Sequence, residues 1–191
     1  MQVLNSIDIA EYLSEYLVRD QIIEKQRQQL YIFGINQMID MLINLVTIFF
    51  IGICFHMLPE IFLFAVVYIA IRCYAGGYHA RTRSRCYVCS VLMYLFALAI
   101  IFILNNYLLI NLAIAMVGGA IIFIMAPVEH KNKPLRENER RVYRQRARIF
   151  TSCGLLIAIM ATIANISMIT AVVATAFLAL SVMLIVGTVA K

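Results

Sequence analysis

The chain is 191 residues long, 63% hydrophobic and 14% charged, with a mean hydropathy of +0.89. Soluble domains are about 45–50% apolar, so this composition excludes a water-soluble globular protein, and the length leaves no room for a separate soluble domain. The net charge of +6 gathers beside apolar runs rather than along one face, which argues for basic loops at a membrane and against nucleic acid as a partner.

Taken in chain order, residues 1–29 carry Asp8, Glu11, Glu15, Asp20 and Glu24 and lack the uninterrupted apolar stretch of a cleaved signal peptide. Ile9, Tyr12, Leu13, Tyr16, Leu17 and Ile23 recur at helical spacing behind Ser6 and Asp8. They predict an amphipathic helix over 6–29, lying in the membrane interface or packed on the spans. A first span follows over 30–58, with Asn36, Gln37, Asp40 and Asn44 near its start. Pro59-Glu60 makes a turn, and the next apolar run, 61–71, is short for a crossing of about 20 residues.

A third span is predicted over 87–104, a turn at Asn105-Asn106, and a fourth span over 107–126. Gly118-Gly119 in that span allows a close helix neighbour, a second copy of the chain included. Pro127 stops the helix. A polar loop over 129–148 then holds eight Lys/Arg against three Glu. Spans over 149–164 and 169–190 complete six, with 165–167 as the turn between them.

The fold class is therefore an all-α integral membrane protein of about six transmembrane helices with an N-terminal amphipathic helix. It forms one membrane-embedded domain over 1–191: the amphipathic helix 1–29, a helical bundle over 30–190, and loops 72–85 and 129–148. Lys and Arg flank spans at 19–27, 72–85 and 131–148, whereas the turns at 58–60, 105–106 and 165–167 carry neither. The positive-inside rule then places the basic loops and both termini in the cytoplasm.

The chemistry gathers between Arg72 and Ser90. Five cysteines, an odd and irregular set, do not make a disulfide framework. In the reducing cytoplasm Cys86 is available as a nucleophile. Arg81, Arg83, Arg85, His79 and the first turn of span three, with Ser84 as its cap, all favour a thiolate there. His79 is the candidate base. In a continuous helix the two residues would sit about 10 Å apart along the axis, so the segment has to fold back, and Gly76-Gly77 can provide that freedom.

Backbone amides near the glycines, or Arg72, can stabilise an oxyanion. Asp40, an acid at membrane depth, can orient His79 or pair with Arg72. Other readings stay open on these residues. His79 and Cys86 can be bystanders on a loop; Cys73, His79, Cys86 and Cys89 are four donors of the zinc-binding type; Cys86 and Cys89 can form a redox pair. Cys54 and His56 fall at the other membrane face, Cys153 reads as a small core residue, and Tyr74, Tyr78 and Tyr87 as an interfacial aromatic belt.

Arg72-x-x-x-Gly76-Gly77-x-His79, with Cys86 seven residues further on, resembles the signature of the AgrB (accessory gene regulator protein B) peptidases. The Ala126-Pro127-Val128-Glu129-x-x-Asn132-Lys133-Pro134 stretch resembles the same family, as do the chain length and the order of apolar runs. The resemblance implies a membrane cysteine endopeptidase of the bacterial cytoplasmic membrane that matures an AgrD-like quorum-sensing precursor. Cys86 would be the nucleophile and His79 the base, with Arg72, Gly76, Gly77 and Asp40 supporting. Cleavage would pass through an acyl-enzyme thioester, which an internal cysteine or serine of the precursor then displaces to close a thiolactone or lactone.

The resemblance further implies a homodimer, and no metal or cofactor is expected. Lys131, Lys133, Arg136, Arg140 and Arg141 are candidates for attracting an acidic precursor tail, or serve topology and lipid contact alone. A peptide transporter or a non-catalytic membrane adaptor is the alternative class. Against a transporter stand the absence of a nucleotide-binding loop, few intramembrane charges and no pair of interrupted repeat helices.

Overall fold

The computed structural model describes residues 6–77, 83–128 and 137–189. Its helices are α1 (Ser6–Arg19), α2 (Gln28–Cys54), α3 (Leu58–Ala75), α4 (Arg83–Leu104), α5 (Leu108–Met125), α6 (Glu137–Ile163) and α7 (Ser167–Val189). A single 3-10 turn, Lys25–Arg27, precedes α2. There is no strand among the described residues, and α2 to α7 are each long and apolar enough to cross a membrane. The protein is an all-α membrane protein.

Local chemistry sets the helix ends. Pro59 lies in the first turn of α3, where its missing N–H breaks no bond. Pro127 follows Ala126, whose backbone is extended (φ −71°, ψ 141°), and α5 stops there. Gln21, His56 and Asn165, all at φ between 53° and 59°, follow the ends of α1, α2 and α6. Around Asn165, Ile166 N–H donates back to the Ala161 carbonyl at 2.8 Å and so satisfies one of the carbonyls left open by the helix end.

The chain divides into two compact units, residues 1–47 and 48–191. In the first, the Gln28 side-chain amide donates to Ser14 Oγ at 3.3 Å. Tyr12, Leu13 and Tyr16 of α1 are exposed. In the second unit α7 is the axle. It packs against α3, α4, α5 and α6, and buries most of its apolar length where the other spans bury a third or less.

The reason is side-chain size. Ala171, Ala174, Ala176 and Thr175 let neighbouring backbones approach, and Phe177 fills the space between α5 and α6. A Cβ on Gly118 would lie 3.0 Å from the Phe177 backbone, and one on Gly154 would lie 2.7 Å from its ring. Large side chains cover the outside instead: Phe96, Phe102, Ile124 and Ile163 are 71–79% exposed. A surface this apolar suits hydrocarbon and not water.

Several sequence expectations are corrected. The N-terminal helix ends at Arg19, not near 29, because the chain turns at Asp20-Gln21. The short run 61–71 extends to a complete 18-residue helix by including Pro59 and Arg72. Within the expected loop 129–148, the chain is helical from Glu137 onward, since Glu and Arg are strong helix formers and Glu137 and Glu139 sit at the favourable N-terminal end. Gly118-Gly119 is consumed inside the chain, against Phe177 and Leu155, and offers no face to a second copy. Cys153 is exposed rather than part of the core.

Candidate active site

Chain reversal brings five helix ends to one end of the second unit: α3, α5 and α7 finish there, and α4 and α6 begin there. Arg72 lies in the last turn of α3. Its Nη1 donates to the Gly76 carbonyl oxygen, while the Gly76 N–H donates to the Arg72 carbonyl at 3.2 Å. Side chain and backbone of Arg72 together close a loop at the helix end, where carbonyls otherwise lack partners.

Gly76 (φ 72°) and Gly77 (φ 120°) both occupy backbone regions that side chains disfavour. They are also packed on the side where a Cβ would stand. At Gly76 it would lie 2.2 Å from the Val128 carbonyl oxygen. At Gly77 it would lie 2.0 Å from Arg72 Nη1 and 3.1 Å from the Met183 carbonyl of α7. Gly77 is buried and Gly76 half-buried.

The partner of this loop is the segment that follows α5. Val128 N–H donates to the Ala75 carbonyl at 2.9 Å, and Gly76 and Val128 form an isolated parallel bridge. Ala126, Pro127 and Val128 are all buried. Two stretches far apart in the chain, Arg72–Gly77 and Ala126–Val128, are thus docked on each other.

A third brace comes from α6. Tyr74 stacks on Phe150 at 5.5 Å, meets Tyr143 edge-on at 5.8 Å, and accepts a hydrogen bond from Arg146 at 3.3 Å. Its half-buried ring is a strut between α3 and α6 rather than a member of an aromatic belt.

Cys86 is the fourth residue of α4, exposed and in no disulfide, beside the backbone N–H groups that a helix start leaves open. Ser84 falls inside the helix and is not its cap. Tyr68 stands one turn before Arg72 on α3. Its ring stacks on Phe64 at 5.6 Å and is 6% exposed. No sequence motif singles out Tyr68 or Met183. The one available signal is that Tyr68 is four residues before Arg72 and so shares its helix face.

Among the other expected site residues, Asp40 lies on α2 in the first unit, half-buried, its backbone carbonyl accepting a 2.8 Å hydrogen bond from the Asn44 amide. Arg140 and Arg141 are exposed on α6. His79, Lys131, Lys133 and Arg136 lie outside the described residues, as do Tyr78 and Arg81. Among the described residues, Cys73, Cys86 and Cys89 do not gather with other donors into a group able to hold a metal.

Residues 9–186 match the family Accessory gene regulator B. An AgrB-like protein of Clostridium perfringens (strain SM101 / Type A) is 24% identical over 144 residues, covering 70% of this chain and 66% of that protein. AgrB-like protein 2 of Clostridium perfringens (strain 13 / Type A) is 23% identical with the same coverage. The chain thus spans just under two-thirds of the length of these two relatives. Accessory gene regulator protein B of Staphylococcus saprophyticus is 27% identical over 159 residues, 83% of this chain and 76% of that protein. No solved structure matches.

Proposed function

The chain belongs to the accessory gene regulator B family, and on that premise we propose that it is a membrane cysteine endopeptidase maturing an AgrD-like peptide precursor for quorum sensing. The observation that carries this reading is the docking of Arg72–Gly77 on Ala126–Val128, immediately before the helix that presents Cys86. An arginine and two glycines held at this cost in backbone freedom suit a site that must be pre-organised.

In the proposed reaction the Cys86 thiolate attacks the carbonyl carbon at the C-terminal side of the future signal. The C–N bond breaks, the leaving amine takes a proton from the His79 imidazolium, and a thioester remains on Cys86. A thiol or hydroxyl within the bound peptide then attacks the thioester carbon, giving its proton to His79. The C–S bond to the enzyme breaks, the ring closes, and free Cys86 returns. A thioester retains enough acyl reactivity for closure without ATP, provided water is kept away.

Arg72 and the Gly76-Gly77 backbone support the site. The arginine-rich end of the second unit faces the cytoplasm, together with both termini, by the positive-inside rule. A homodimer is part of the same reading, with its interface away from Gly118-Gly119.

The test uses the full chain in lipid vesicles with a synthetic precursor, followed by mass. Wild type and Cys89→Ala should release the C-terminal fragment, while Cys86→Ala and His79→Ala should not. Loss in Cys89→Ala as well would favour a metal or redox site. Absence of processing in wild type would favour the transporter reading.

A further inference from the structure

We propose that the groove between the end of α5 and the first half of α6 is a binding site for one anionic glycerophospholipid. It holds the phosphate at Arg141, Arg144 and Arg148 and an acyl chain along Ile149 and Cys153. This site is separate from the proposed peptidase chemistry and does not depend on it.

The groove has a volume of about 480 Å³ and is open on one side. Its head is basic. Arg141, Arg144 and Arg148 follow one another at helical spacing on one face of α6 and all line it. Arg148 is held: its guanidinium lies 4.6 Å over the Phe123 ring and its Nε donates to the Phe123 carbonyl at 3.4 Å. Among the described residues no carboxylate pairs with Arg141 or Arg144. Glu137, with Arg140, Arg141 and Arg144, lines a second hollow of about 310 Å³. The balance there is still strongly positive.

The foot of the groove is different in kind. From Ile149 to Ile163 α6 carries no charged residue, and Ile149, Ser152 and Cys153 are all exposed. The change from charged to apolar therefore runs through the groove itself. Arg144 to Arg148 spans about 6 Å of helix axis, close to the thickness of one headgroup layer, roughly 5–8 Å.

A ligand matching both ends is an amphiphile with a phosphodiester head. An acidic peptide or a free phosphate would use the arginines and leave the apolar foot unfilled. Arginine suits the phosphate because its planar donors match two oxygens at once.

The experiment titrates detergent-solubilised full-length protein with phosphatidylglycerol, phosphatidylcholine, inorganic phosphate and a Glu-rich peptide, counting retained molecules by native mass spectrometry. One phosphatidylglycerol per chain should be retained in preference to phosphatidylcholine and should survive millimolar phosphate. Arg141→Gln with Arg144→Gln should weaken retention roughly tenfold or more. Ser152→Phe, which leaves every arginine in place and fills the foot, should weaken it too.

Removing the same charge elsewhere, by Arg19→Gln with Arg27→Gln, should change nothing. Equal loss in that control would reduce the effect to general electrostatics and overturn the site. Equal retention of phosphatidylcholine, displacement by inorganic phosphate, or tighter retention of the acidic peptide would each overturn the lipid as occupant. Insensitivity to Ser152→Phe would remove the acyl-chain part of the proposal.

Discussion

Gly76 and Gly77 are adjacent and both sit at positive φ, yet a side chain at each would strike a different kind of neighbour. At Gly76 it meets the Val128 backbone carbonyl, which cannot move without releasing the segment after α5; at Gly77 it meets first the tip of Arg72, which can swing away. Gly76→Ala should therefore lower the midpoint of thermal unfolding in detergent more than Gly77→Ala. The strain alone costs about 1–3 kcal/mol at either position. Both should cut precursor processing, Gly77→Ala because it dislodges the Arg72 contact to Gly76. If so, Arg72→Ala and Gly77→Ala are not additive, and a double-mutant cycle on stability should return a coupling of about 0.5–3 kcal/mol. Zero coupling would mean that the arginine is not what Gly77 makes room for. Tyr68 offers a second residue-scale prediction. Tyr68→Phe keeps the ring stacked on Phe64 and removes only a hydroxyl on the helix face that also carries Arg72. Processing should fall roughly tenfold to a hundredfold with the unfolding midpoint unchanged. Unchanged processing would leave Tyr68 as packing alone.

At the scale of elements, the second unit depends on one aromatic wedge. Phe177 of α7 stands between Gly118 of α5 and Gly154 of α6, and it is fully buried. Gly154→Ala places a methyl against a ring with no room to retreat, so it should destabilise by about 1–3 kcal/mol. Adding Phe177→Leu, smaller at the point of collision, should recover part of that loss in the same thermal measurement. Failure to recover would show that Gly154 is needed for backbone reasons rather than for the ring. These pairings explain what could be read beforehand. The apolar runs and the prolines announce spans and stops, because each acts on its own few residues. The charged start of α6 reads as a loop because periodicity in apolar residues is silent where nearly every residue is polar, although Glu and Arg form helices well. Arg72, Gly76 and Gly77 are legible as a special turn from their types and spacing. That Gly76 meets Val128, Gly77 meets Met183, and Tyr74 meets Tyr143 and Phe150 is not legible, since contacts between distant helices leave no local pattern in either partner.

For the whole molecule, the distribution of charge and the alternation of helices make independent statements about the same axis. Arg72, Arg83, Arg85 and the arginines of α6 belong to the end where α3, α5 and α7 finish. The turns after α2, α4 and α6 hold no Lys or Arg. Five exposed cysteines let the two statements be tested against each other. Cys54 closes α2 at the uncharged end, while Cys86 opens α4 at the charged end, with all of α3 between them. In single-cysteine variants, a membrane-impermeant maleimide added to inverted vesicles should label Cys86 and spare Cys54. Added to right-side-out vesicles, it should do the reverse. Labelling of both from one face would mean that the 18 residues of α3 do not cross, and that the docked loop at Gly76 reaches its place by another route. Labelling of each from the face opposite to the one expected would keep the fold and invert it in the bilayer. The thiol would then sit outside the reducing compartment, and a cysteine nucleophile working on a cytoplasmic precursor would no longer be tenable.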